Sequence, residues 1–211
     1  ARVILLEMKE TAQLFQKPLS GSIRVGLPDD FDTAVLERIL AQFSQTHPGV
    51  QVLARSGCTS GYNDAIRCGE LDVAVCSGID DPGEGLLNTE EIVWAGRKGA
   101  TWPKSETIPL AVLDRPCHWR ELPKKSLDAN GRHYRVAFQS SSFTSLQAAL
   151  RSGIAVGLLP RSTIGVGLQI LSAKDGFPEL PMSYRSITVA TDGPTDVIAA
   201  MVEAIRQACL R

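Results

Sequence analysis

The chain has 211 residues, enough for one large domain or two of about 100 residues each. Hydrophobic residues make up 44% and charged residues 21%, the proportions of a globular chain that can bury a core. With 22 Lys and Arg against 23 Asp and Glu, the net charge of −1 excludes the basic footprint of a free-standing DNA-binding module.

Arg2–Gln16 reads as a helix, with Ile4, Met8, Thr11 or Ala12, and Phe15 on one face and Pro18 and Gly21 stopping it. Apolar residues on a second side (Val3, Leu6, Leu14) suit packing against another chain, or a terminal helix folded on its own domain. The start lacks a signal-peptide pattern and begins mid-pattern, as if cut from a longer chain.

From Ser22 strands and helices alternate. Ser22–Leu27 reads as a strand, and Asp30 can cap a helix to about His47, with Val35, Ile39, Leu40 and Phe43 inward. After the Pro48-Gly49 turn, Val50–Ala54 reads as a strand. Thr59 or Ser60 can cap a short helix ending before Gly69, and Leu71–Cys76 reads as a buried strand. This order implies a parallel sheet with helices on its faces. Leu87–Gly96 is a longer strand, and Arg97–Glu106 is polar and loop-like.

A second round follows. Ile108–Leu113 and Tyr134–Gln139 read as strands, with Cys117–Asn130 helical between them if Pro123 lies in the first turn or two. Ser142–Ser152 is a helix, Ala155–Leu159 and Ser186–Thr191 are strands, and Thr195–Leu210 is a final helix. Two α/β units joined by crossing strands make two Rossmann-like lobes with a cleft, where ligands sit beyond the carboxyl ends of the strands.

The five cysteines, Cys58, Cys68, Cys76, Cys117 and Cys209, are odd in number and form no CxxC, against a disulfide framework or a zinc site. His47, His118 and His133 make no metal-ligand spacing, so no metal is expected. No 18-residue apolar stretch crosses a membrane, and no GxSxG, GxxxxGK[ST] or GxGxxG occurs.

GSIRVGLPDDF at Gly21–Phe31 and LERILAQFSQTHPGVQV at Leu36–Val52 closely resemble the start of the effector-binding domain of LysR-type regulators. GELDVAV at Gly69–Val75 and RSGIAVGLLP at Arg151–Pro160 are similar to two further family segments, in family order. The resemblance covers Gly21–Arg211. It implies a type 2 periplasmic-binding-protein architecture, with residues 1–18 ending a linker helix. Lobe I would be 19–95 with 193–211, and lobe II 96–192. A winged helix-turn-helix would precede this chain. The PDDF turn, Pro28–Phe31, resembles a branch related to motility and virulence control; most relatives carry Ser or Thr there.

The function implied is effector sensing in a cytoplasmic, homodimeric or homotetrameric transcription regulator. A small molecule would bind between the lobes, and DNA would be touched only through the missing domain. No catalysis, cofactor or membrane contact is expected. A periplasmic-type solute-binding protein shares the architecture, and a cysteine-based redox sensor using Cys117 is a further alternative.

The expected ligand contacts are Pro28, Asp29, Asp30, Thr59, Cys117, His118, Ser140 and Ser141. Asp29 and Asp30 can cap the following helix, or repel an anion and favour a ligand with amine or hydroxyl donors. The resemblance implies that the Thr59 hydroxyl faces the ligand, and it too can serve as an N-cap. Gln139–Ser142 can cap a helix or hydrogen-bond a guest. Cys117, at a helix start among Arg115, His118 and Arg120, has the setting that lowers a thiol pKa. It resembles the position of the reactive cysteine in the family's peroxide sensor. No resolving cysteine lies in Lys124–Asn130, and the other cysteines need not be near.

Overall fold

The alternation of strands and helices in the first half is present in the computed structural model, which describes residues 19–103 and 106–209. Its elements are β1 (Gly21–Pro28), α1 (Thr33–Thr46), β2 (Val50–Gly57), α2 (Tyr62–Arg67) and β3 (Val73–Gly78). The helix expected over Arg2–Gln16 lies outside the described residues. Strand β1 is the hub: it pairs in parallel with β2 from Gly21–Val50 to Pro28–Gly57, and with β3 through Val25–Val73 and Gly26–Ala74.

Side chains on a strand alternate between faces, and β3 shows the consequence. Val73 and Val75 pack into a core with Ile23, Ile39, Phe43, Met201 and Ile205. Ala74, between them, packs on the opposite face with Tyr62 and Ile66 of α2. A strand buried on both faces has to be apolar along its length, as this segment is.

The second half supplies β4 (Leu86–Arg97), β5 (Ile108–Leu113), α3 (His118–Ala129), β6 (Tyr134–Ser140), α4 (Phe143–Ser152), β7 (Gly157–Pro160), β8 (Leu168–Leu171), β9 (Met182–Val189) and α5 (Thr195–Cys209). Strand β9 runs antiparallel to both β3 and β4, giving the order β2-β1-β3-β9-β4-β7, with β8 also on β4. Strands β5 and β6 pair in parallel, and an isolated bridge ties Leu110 to Val156. Around them lies a separate core of Trp94, Leu110, Leu127, Leu150, Leu158 and Phe177.

Several boundaries differ from those expected. Strand β9 begins at Met182 rather than Ser186, because the extra residues pair with β4 at Glu90 and Glu91. Strand β8 was not expected from four residues of weak pattern; its pairing with β4 makes it a strand. Pro123 lies within α3, in the second turn. Helix α1 is capped by Asp32, whose Oδ1 accepts from Ala34 N at 2.9 Å, and not by Asp29 or Asp30. Both of those carboxylates are taken up elsewhere. Gly153 ends α4 at φ 85°, a left-handed conformation that glycine adopts without strain, with the Arg97 side chain where a Cβ would stand.

One polar residue is built into the lobe I core. Asp72 is 2% exposed, and its Oδ2 accepts from Arg24 N at 2.7 Å and Arg24 Nε at 3.1 Å. Its Oδ1 meets Arg24 Nη2 at 2.6 Å. These bonds hold the carboxyl below the usual carboxylate range. Asp72→Ala orphans the Arg24 amide and should cost about 2 kcal/mol in urea unfolding. The depressed folded pKa means that this stabilisation is complete above the unfolded value of about 4 and is lost as pH falls through the lower folded value. The variant should therefore show a flatter acid limb in its stability–pH curve than the parent.

Candidate functional site

Parallel strands deliver their carboxyl ends to one edge of the sheet, where loops can converge on a ligand. Pro28, Asp29 and Asp30 leave β1 there, Gly57–Ser60 leave β2, and Ser77 stands near the end of β3. Opposite them are Leu113, at the end of β5, and Cys117, His118 and Trp119, at the start of α3. Together they line a partly open cleft of about 400 Å³, within the usual range for a small-molecule site.

The walls are fastened from behind. The Tyr62 hydroxyl lies 2.9 Å from Leu27 O and 3.0 Å from Arg55 O, linking the ends of β1 and β2. Burial pushes this phenol up to about 12, so it stays protonated. Thr59 Oγ1 accepts from Ser77 N at 3.1 Å and lies 3.2 Å from Ser77 O. It fastens two loops rather than capping a helix. The short turn Thr59–Gly61 begins after Cys58, with no side-chain cap.

Two polar contacts cross the cleft. Arg115 Nη2 meets Asp29 Oδ2 at 2.8 Å and also donates to Ser141 O at 2.7 Å. Trp119 Nε1 donates to Asp30 Oδ2 at 2.9 Å. Asp30 is 1% exposed, and its Oδ1 has no hydrogen-bond partner among the described residues. Burial raises the pKa of Asp30, opposed by the charge of Arg185 and by the Trp119 bond. Burial also raises that of Asp29, opposed by Arg115. Arg185 reaches the backbone of Asp30, Nη2 to O at 3.2 Å, with its guanidinium 4.6 Å from the centre of the Phe31 ring. Burial holds His118 down to about 4, so it is neutral at physiological pH, and its Nε2 has no partner among the described residues.

Pro28, Asp29, Asp30, Thr59, Cys117 and His118 are thus brought together at one cleft. Ser140 and Ser141 are not among its lining residues. Ser140 Oγ accepts from Ser142 N, and Ser142 caps α4 through Ser145 N. Sequence reasoning passed over Cys58, Ser60, Ser77, Leu113 and Trp119. Cys58 was open to detection, because it precedes Thr59 at the end of the same strand.

The expectation for Cys117 is corrected. Donation of its S–H to Cys58 and half-burial raise its pKa, and the flanking arginines are engaged elsewhere. Arg115 is turned to Asp29, and Arg120 to Asp114 O and Glu121. The S–H of Cys117 instead stabilises a thiolate at Cys58, whose pKa falls to about 5, helped by Ser60 Oγ at 3.4 Å. A second cysteine is therefore adjacent after all, but both are free thiols, and Cys117 lacks the thiolate character of a redox sensor.

A two-lobed α/β domain with a ligand-sized cleft at its strand ends belongs to the class of small-molecule-binding domains. The family model described as "LysR substrate binding domain" matches residues 16–210, and the chain belongs to that family. It is 30% identical over 206 residues to the HTH-type transcriptional regulator DgdR of Burkholderia cepacia, covering 97% of this chain and 70% of that one. It is 22% identical to the HTH-type transcriptional regulator PecT of Dickeya dadantii, covering 97% of this chain and 65% of that regulator. The fold matches the reduced OxyR regulatory domain from Pseudomonas aeruginosa at a TM-score of 0.66 and 19% identity, over 91% of this chain and 98% of that one. It also matches the effector-binding domain of a BenM variant at a TM-score of 0.63 and 19% identity, over 89% and 94%. The architecture is the type 2 periplasmic-binding-protein fold of LysR effector-binding domains.

The thiol pair yields a kinetic test. Alkylation of Cys58 by iodoacetamide, followed by peptide mass spectrometry, should reach half its maximal rate near pH 5. In Cys117→Ala the donor is gone, and the midpoint should move upward. A midpoint in the ordinary thiol range of about 8–9 in the parent would sink the assignment.

Proposed function

We propose that this domain senses a small-molecule effector for a LysR-type transcription regulator, with the effector bound in the cleft between the lobes. Lobe I comprises residues 19–95 and 193–211, and lobe II residues 96–192. Pro28, Asp29, Asp30, Thr59, Cys117 and His118 contact the effector in this reading. Ser140 and Ser141 belong to the same site at one remove, Ser141 through its carbonyl on Arg115.

The observation that carries the reading is the pair of contacts spanning the cleft, Asp29–Arg115 and Asp30–Trp119. Each joins the loop after β1 to the segment leading into α3, so anything that binds between them biases the closure angle. An effector shifts that equilibrium only by its differential affinity for the two arrangements. The shift passes to the packing of subunits in a homodimer or homotetramer, and so to the spacing of DNA-binding domains outside this chain. The cytoplasm is the expected compartment. The reading assigns no catalysis: His118 is neutral, and Cys58 is supported by Cys117 rather than by a protonated imidazole.

A thermal-shift screen of metabolites tests this directly. An effector at about 100 times its Kd should add about 2.7 kcal/mol of stability. Arg115→Ala, which frees one side of the cleft, should weaken that effector by about tenfold, or about 1.4 kcal/mol. A stabilising compound whose NMR footprint avoids the cleft would overturn the site.

A further inference from the structure

The lining of the cleft is uneven in charge. Its ionisable side chains include two aspartates, and no Lys or Arg is among the lining residues. Asp29 is already answered by Arg115 at 2.8 Å. Asp30 is not answered in that way. The charge nearest it in effect, Arg185, donates to the Asp30 backbone carbonyl and stacks on Phe31, and no ion pair joins the two side chains.

Asp30 also has one oxygen in use and one to spare. Oδ2 takes the Trp119 indole proton, while Oδ1 is buried without a donor among the described residues. A carboxylate oxygen removed from water and left without a donor is costly, and a ligand that brings a donor removes that cost. Anions have no comparable partner here. His118 is neutral, and the positive end of α3 already faces Asp30, bonded to the second residue of that helix.

Building on the effector reading, we propose that the cleft takes a small organic cation and that Asp30 Oδ1 accepts from its primary ammonium group. An ammonium carries three donors, and the hydroxyl of Ser60, in the same wall, supplies a further acceptor. The ligand class is thus the reverse of a simple organic acid, and it follows from placing an aspartate, rather than a neutral residue, at the turn after β1.

The test is an isosteric series on the 211-residue chain: propylammonium, 1-propanol and propionate at equal concentrations. Two signals are read, the melting temperature and the ¹H–¹⁵N cross-peak of the Trp119 indole, assigned with Trp119→Phe. Propylammonium should raise the melting temperature and move the indole peak saturably, while propanol and propionate leave both unchanged. Asp30→Asn should weaken propylammonium at least tenfold. If Asp30→Asn does not fold, the series on the parent chain still decides. Equal shifts from propionate or propanol would overturn the cation proposal while leaving the cleft as an effector site. No shift from any of the three, or undiminished binding to Asp30→Asn, would also overturn it. The effector reading itself falls separately, on a screened effector that leaves every cleft residue unmoved.

Discussion

A carboxylate sits almost wholly out of water at Asp30, held by a single indole proton from Trp119 on the facing wall. Inside a protein such a bond is electrostatically stronger than in water, and an unmet oxygen beside it is correspondingly expensive. Much of the site's geometry can be understood from that arrangement. Trp119 is anchored by its place in the lobe II core, at a ring distance of 6.0 Å from Phe143. Asp30 is anchored by the backbone contact from Arg185, which comes from the strand between the two halves of the sheet. The bond therefore ties the relative position of the two walls to two separately packed cores.

The neighbouring Asp29 behaves differently for a simple reason of exposure. Its side chain remains partly accessible and finds a guanidinium, so its charge is matched locally and screened by solvent. Two adjacent residues of the same type thus divide the work: one makes a surface-side ion pair and the other keeps a buried acceptor. The thiols show a parallel division. Cys117 retains its proton because Cys58 accepts it in a hydrogen bond, and Cys58 gains acidity for the same reason.

Much of this was legible in the residues. The alternation from Ser22 onward, the apolar run before Cys76 and the four family-like segments led to the fold and to the LysR family. The importance of PDDF was legible too, because two carboxylates between strand and helix exceed what a cap needs. Their roles were not. Capping was assigned to Asp30 and Thr59 by position, yet Asp32 caps α1 and Thr59 spans to Ser77. Local sequence ranks potential caps, but a side chain that finds a stronger or more buried partner far along the chain is withdrawn from the local choice.

What the sequence determined by itself is whatever depends on short-range periodicity: which segments are strands or helices, which faces are apolar, and where glycine must turn the chain, as at Gly153. What only the tertiary structure decided is every pairing across the cleft, Asp30 with Trp119 over 89 residues and Arg115 with Asp29 over 86. It also decided which of two cysteines carries the negative charge. Those outcomes rest on desolvation and on the distance between groups remote in sequence, and neither quantity exists until both cores have packed.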